Sequence, residues 1–207
     1  PYAPTGASHT RASDTKNVVS WKNDTRPARP YAELRVQRST DGGDWAQVAS
    51  LGAAATSYAD TSTSAGHSYM YRVVAGNSAG TAASGATAKT LNTPSAPTDV
   101  KASRVSDNRN DVSWAGVCRD AALYASQALQ RSVDGGAWAD AATLAGSARS
   151  YSDRSTSAGH SYSYRVVAQN ASGSAASAAS AKTLNTPNAP SKASHVRNSD
   201  AQNTVTW

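Results

Sequence analysis

The segment TSAGHSYMYRVVAGNSAG, residues 63–80, returns as TSAGHSYSYRVVAQNASG at residues 156–173. Within it, Tyr69, Tyr71, Val73 and Ala75 recur as Tyr162, Tyr164, Val166 and Ala168, while the alternate position Met70 becomes Ser163 and Arg72 recurs as Arg165. A period of two with one apolar face is the pattern of a half-buried β-strand, and it places Tyr69, Tyr71, Val73, Tyr162, Tyr164 and Val166 in a core. The stretch NVVSW, residues 17–21, obeys the same rule. Val19 and Trp21 match Val112 and Trp114, whereas Val18 becomes Asp111 and then Thr204.

Working outward, all five tryptophans fall on one period of 93 residues: Trp21, Trp114 and Trp207 share one position, and Trp45 and Trp138 share another. Pro1, Pro94 and Pro187 keep the same register, as do Pro4, Pro97 and Pro190. The chain therefore divides into unit one, residues 1–93, unit two, residues 94–186, and the start of a third unit, residues 187–207. A two-strand start buries too little apolar surface to offset its ordering entropy, so the sequence is expected to be an excerpt of a longer chain, with further repeats after Trp207. The only methionine is Met70, which fits a processed or excerpted chain.

Turn chemistry completes the unit. Asp41-Gly42-Gly43 and Asp134-Gly135-Gly136 separate apolar-polar runs in hairpin fashion, with glycine available for positive φ. Short strands broken about every 8–12 residues, with no helical stripe, predict an all-β chain of tandem antiparallel β-sandwiches. Cys118 is the only cysteine, which excludes a disulfide-pinned immunoglobulin domain and a multi-Cys metal cluster. The formal charge of +6 is spread thinly rather than gathered into a run, so nucleic acid is not an expected partner. The apolar runs are far short of the roughly 20 residues that cross a bilayer as a helix, and no membrane partner is expected.

The proline near the start of each unit, Val-x-Trp on the second strand and Tyr-x-Tyr-x-Val-x-Ala-x-Asn-x-x-Gly on the sixth resemble fibronectin type III domains. That resemblance implies a core tryptophan at Trp21, Trp114 and Trp207. It also implies a corner tyrosine at Tyr69 and Tyr162, whose hydroxyl ties its strand to the preceding turn. One position departs from the pattern: on the third strand unit one offers Leu34 and unit two Gln127, a polar group that needs a partner if it is buried.

The wording QRSTDGGDW and QRSVDGGAW, with TSAGHSY, YRVVA and the NTP linkers, resembles the tandem type III repeats in minor tail proteins of phages that infect actinobacteria. This implies a non-enzymatic structural and adhesive module of a tail tip or fibre, located in the virion or otherwise extracellular, without cofactor. Its implied partners are other tail proteins, further repeats of its own chain and a host cell-surface glycan, and homo-oligomers are compatible with it. Two other readings use the same repeats, as accessory spacers of a secreted glycan-degrading enzyme or as part of a cell-surface adhesin.

No nucleophile, acid-base or metal constellation appears in the sequence. His67 and His160 each lie beside a glycine just before a strand, where a turn or capping role is expected. His9 and His195 share a register that unit two fills with Ala102. Asp14, Asp107 and Asp200 recur in the turn after the first strand and are expected to cap their own backbone. Arg11, Arg104 and Arg197, Arg38 and Arg131, and Arg72 and Arg165 are expected to pair with carboxylates or to guard strand edges. The loop after the core tryptophan, KNDTRPARP in unit one and AGVCRDAAL in unit two, differs most between units. Its Arg26, Arg29 and Arg119 are the candidate surface contacts. The proline-bearing linkers KTLNTPSAPT and KTLNTPNAPS predict a semi-rigid rod.

Overall fold

A computed structural model describes residues 1–24, 26, 30–116 and 123–206. Among these residues the secondary structure is almost entirely antiparallel β, with no α-helix. In unit one, β1 (Thr5–Ser13), β2 (Lys16–Lys22) and β5 (Ser57–Asp60) form one sheet in the order β1-β2-β5. The facing sheet runs β4-β3-β6-β7, from β3 (Glu33–Thr40), β4 (Ala46–Gly52), β6 (Ser68–Asn77) and β7 (Gly80–Ala83), with β8 (Thr90–Leu91) also paired to β6.

Unit two repeats the plan. Strands β9 (Thr98–Ser106), β10 (Arg109–Ala115) and β13 (Ser150–Asp153) make the small sheet. The large sheet holds β11 (Ser126–Val133), β12 (Ala139–Ala145), β14 (Ser161–Asn170), β15 (Gly173–Ala176) and β16 (Thr183–Leu184). Residues 194–206 form the hairpin β17 (Ser194–Ser199) and β18 (Gln202–Thr206).

The two sheets of each unit close over the alternating face read from the sequence. Val19 and Trp21 on β2, Leu34 and Val36 on β3, and Tyr69, Tyr71, Val73 and Ala75 on β6 form one core, and none is more than 4% exposed. Val112, Trp114, Leu129, Tyr162, Tyr164 and Val166 form its counterpart. Val205, in the register of Val19, is 56% exposed, and among the described residues no second sheet covers the β17-β18 hairpin. Trp207 lies outside the described residues.

The Asp-Gly-Gly turns have the backbone a hairpin needs. Asp41 and Gly42 have φ of 55° and 75°, Asp134 and Gly135 of 53° and 79°, and Gly43 N–H donates to Thr40 O at 3.0 Å. Two successive positive φ values define a type I′ turn, whose twist matches that of the strands it joins. Asp41 is held in this left-handed conformation by its own contacts: it accepts from Ser68 N–H at 2.8 Å and hydrogen-bonds His67 Nδ1 at 2.7 Å. Asp134, Ser161 and His160 repeat the arrangement. The glycine-flanked histidines thus brace the hairpin against the start of the sixth strand.

Serine and threonine side chains extend the sheet where strand pairing lapses. After β7, Ser84 Oγ accepts from Val73 N–H and Thr87 Oγ1 from Tyr71 N–H, at 3.0 and 2.9 Å, while Ser84 N–H and Thr87 N–H donate to Val73 O and Tyr71 O. Ser177 and Ser180 do the same for Val166 and Tyr164. Hydroxyls here satisfy buried backbone amides that the irregular edge would leave unpaired. His9 joins this edge in unit one, 2.8 Å from Thr87 Oγ1, and burial lowers its pKa.

Candidate functional site: a latch and a joint between repeats

Asp14 sits in the turn between β1 and β2, and its carboxylate reaches across to the linker rather than capping its own turn. It accepts from Thr93 N–H at 2.9 Å, from Thr93 Oγ1 at 2.5 Å and from Arg11 at 2.7 Å. The adjacent Asn92 is completely buried, and its Nδ2 donates to Asp14 O and Ser64 O, both at 2.7 Å. Asp107, Thr186, Asn185 and Ser157 rebuild this latch at the end of unit two. Hydrogen bonds from the Thr186 hydroxyl and amide, joined by Arg104, lower the Asp107 pKa to about 2. For Asp14, burial acts to raise the pKa, but bonds from Thr93 and Arg11 outweigh it and hold it below the ordinary value. Asn-Thr of the linker and Asp of the first turn lie about 79 residues apart in sequence, so no local motif links them.

The latched linker then meets unit two. Tyr124 Oη donates to Ser95 O at 2.7 Å, Asn170 Nδ2 to Asn92 O at 2.9 Å, and Ser172 Oγ to Leu91 O at 2.6 Å. Leu91 packs against the cluster of Leu123, Tyr124 and Ala168. Gly173, at φ +142°, lets Thr93 approach, since a Cβ there would stand 2.8 Å from Thr93 Cγ2. The short segment 91–95 is therefore held by unit one on one side and by unit two on the other.

Inside each sandwich, a buried polar bridge joins the two sheets. Asp60 on β5 accepts from Tyr71 Oη on β6 and from Arg38 on β3, each at 2.8 Å, and from Ser62; Asn17 on β2 donates to Tyr71 Oη at 3.1 Å. Asp153, Tyr164, Arg131, Ser155 and Asn110 repeat it. Burial acts to raise the Asp60 pKa, yet bonds from Ser62, Tyr71 and Arg38 outweigh it and keep the group ionised. Burial, partly opposed by Asn17, raises the Tyr71 pKa. The corner tyrosines stand beside this bridge: Tyr69 Oη accepts from Ser64 N–H at 3.0 Å, and Tyr162 Oη from Ser157 N–H at 2.9 Å.

Gln127 is fully buried and fully engaged. Its Oε1 accepts from Trp114 Nε1 at 2.8 Å, and its Nε2 donates to the carbonyls of Ala145, Gly146 and Ala148. Unit one meets the same need with Asn23, which accepts from Trp21 Nε1 at 2.9 Å and donates to Ala53 O and Ala55 O, the positions of Gly146 and Ala148. Unit two has Gly116 where unit one has Asn23, and Gln127 where unit one has Leu34. One amide ties the tryptophan to the same turn in both units, delivered from the residue just after β2 in unit one and from β11 in unit two.

Of the candidate surface contacts, Arg26 pairs with Asp24 at 2.5 Å and stacks over the Tyr2 ring, 3.4 Å from its centroid, with 59% of its side chain exposed. Arg29, Arg119 and Cys118 lie outside the described residues. Arg72 and Arg165 bond Gln37 and Gln130 rather than carboxylates, and lie over the rings of Trp45 and Trp138. Among the described residues no group of three or more His, Cys, Asp or Glu side chains is placed to hold a metal ion, and no helix is long and apolar enough to cross a membrane.

No family model matches the chain, and no curated protein matches it. Among solved structures it is similar to the chicken CNTN1 FN1–FN3 domains, at 20% identity and a TM-score of 0.55 over 100% of this chain and 75% of that one. A two-domain fibronectin type III segment from chicken tenascin aligns at 17% identity and a TM-score of 0.46, over 85% and 95% of the two chains. Taken with the paired three- and five-stranded sheets, the likeness to the CNTN1 domains shows the fold: the chain is a tandem of fibronectin type III-like sandwiches.

Proposed function

We propose that this chain is a non-enzymatic spacer and adhesive array, part of the tail tip or fibre of a phage that infects actinobacteria. The observation that carries the spacer reading is the joint: seven hydrogen bonds described above grip residues 91–95 from both units, so one sandwich is set firmly on the next. A protein that must hold a distance needs such joints, and the polar clusters inside it are consumed in bracing strands and linkers. The repeated phrases QRSTDGGDW and QRSVDGGAW, TSAGHSY and YRVVA support the tail assignment, with other tail proteins and a host-surface glycan as partners. Arg26, in the loop after the core tryptophan and with 59% of its side chain exposed, is where a glycan would be met.

The test follows the intact parent protein, by antibody to units one and two, through a density gradient of the source culture. Sedimentation with virus particles is the expected outcome. A protein found only in soluble or cell-envelope fractions would overturn the tail assignment while leaving the spacer reading to be judged by the joint.

A further inference from the structure

The joint between units one and two has an unfilled counterpart at the leading end of unit one. In register, Tyr31 stands for Tyr124, Asn77 for Asn170, Ala79 for Ser172 and Gly80 for Gly173. The asparagine turn is shared in local structure, whereas Tyr31 Oη accepts from Asp24 N–H at 2.9 Å in place of the linker bond that Tyr124 makes. Asn77 Nδ2 donates to Pro30 O at 3.1 Å as Asn170 Nδ2 does to Leu123 O, and Ala79 N–H donates to Asn77 Oδ1 as Ser172 N–H does to Asn170 Oδ1.

The difference is the occupant. Asn170 makes a second bond to Asn92 O of the preceding unit, and Asn77 has no such bond among the described residues. Gly173 faces Thr93 of the preceding unit, whereas over Gly80, at φ +132°, a Cβ would meet nothing within 4 Å. A concave surface has formed there, lined by Pro1, Tyr31, Asn77 and Gly80 among others. Pro1 stands in the register of Pro94, which leads unit one's linker out of the filled joint.

The matching donor end is present as well. Leu184, the counterpart of the half-buried Leu91, is 67% exposed, yet Asn185 and Thr186 beside it are already latched to Asp107.

We infer that the leading face of unit one is a docking surface for the Leu-Asn-Thr end of another repeat of this kind, joined ahead of Pro1. The leucine packs near Tyr31, the asparagine carbonyl accepts from Asn77 Nδ2, and the threonine methyl settles over Gly80. The interface is head-to-tail, with donor and acceptor at opposite ends of a unit, so the same contact can repeat from one unit to the next along the chain. This rests on the joint's geometry and not on what the array is attached to.

The test places a copy of residues 94–186 directly ahead of Pro1 of the 207-residue chain and records amide resonances by NMR. Expected are shifts of the Asn77 side-chain amide and of the Ala79 and Gly80 backbone amides, with slowed hydrogen exchange at Asn77. Changing Leu184→Asp in the added copy alone should return them to their values in the 207-residue chain. That leucine is mostly exposed where nothing docks on it, so the added unit keeps its melting temperature. Resonances unmoved by the added repeat, or moved equally by the Leu184→Asp copy, would overturn the inference, the second result showing an effect of covalent attachment alone.

Discussion

At the scale of single residues, the exchange of Asn23 and Leu34 for Gly116 and Gln127 shows how one requirement is met by two solutions. The indole N–H of a core tryptophan needs an acceptor, and an unsatisfied buried donor costs about 1–3 kcal/mol. Gln127→Leu, which copies unit one at that position alone, should therefore destabilise unit two by about this amount, read as a lowered melting midpoint. Adding Gly116→Asn should recover part of the loss. Recovery stays partial because a Cβ at Gly116 would lie 3.0 Å from Tyr124 Cε2, whose ring must give way. A Gln127→Leu chain that melts unchanged would show that water takes over the indole. The sequence made the problem visible, since a glutamine stood where an apolar residue was expected. Its solution was not legible, because partner Trp114 lies on a different strand and the three carbonyls belong to the turn after β12.

At the scale of strands, alternation was enough to read β2 and β6 and their core faces, because a period of two survives in any short segment. The strand-spanning bridge was not readable. Asp60 and Asp153 end short strands in serine- and threonine-rich stretches, where an aspartate reads as a turn residue, so Arg38 and Arg131, expected to pair with carboxylates or to guard strand edges, do pair with carboxylates, but with partners the sequence did not identify. Folding brings them together across two sheets. Asp60→Asn should cost about 1.5–3 kcal/mol at neutral pH, the range for a hydrogen bond to a charged group.

The same carboxylates set the acid limit. The pKa values of Asp14, Asp60, Asp107 and Asp153 are lowered in the folded state, so each contributes stability that is complete above the unfolded value near pH 4 and is lost as pH falls through the folded value. Chemical denaturation from pH 5 downward should show flat stability at first, then decline below about pH 4, with the Asp107 part lost as the pH falls through about 2. Constant stability from pH 5 to pH 2 would contradict the assigned bonds.

At the scale of the whole molecule, the linker prolines led to the expectation of a semi-rigid rod, and the structure adds a latch and a joint that grip the linker from both units. The prolines pointed to restriction in general. The grip itself involves Asp14, Asn92, Asn170 and Ser172, residue types common in any loop, so spacing could not single them out. Removing Tyr124 Oη and Ser172 Oγ together, as Tyr124→Phe and Ser172→Ala, deletes two bonds that unit two gives to linker carbonyls. At about 0.5–1.5 kcal/mol each, this should remove about 1–3 kcal/mol of coupling between the units. The expected sign is a wider separation of their two unfolding midpoints, with each unit still folded. Unchanged midpoints, and a shared rotational correlation time in both chains, would show that Leu91 packing alone holds the joint.

The latch also fixes how the chain would carry tension. A pull from the two ends arrives at residues 91–95, where the peptide is clasped by Asp14 and Ser64 of one sandwich and by Tyr124, Asn170 and Ser172 of the other. The clasp lies in series with the sandwiches, so it carries the same tension as their core strands, and whichever is weaker yields first. The clasp rests on a handful of hydrogen bonds whereas β2 and β6 are each paired along their length with two neighbours, so the joint is expected to give way first under a rising pull and to spare the folded units on either side.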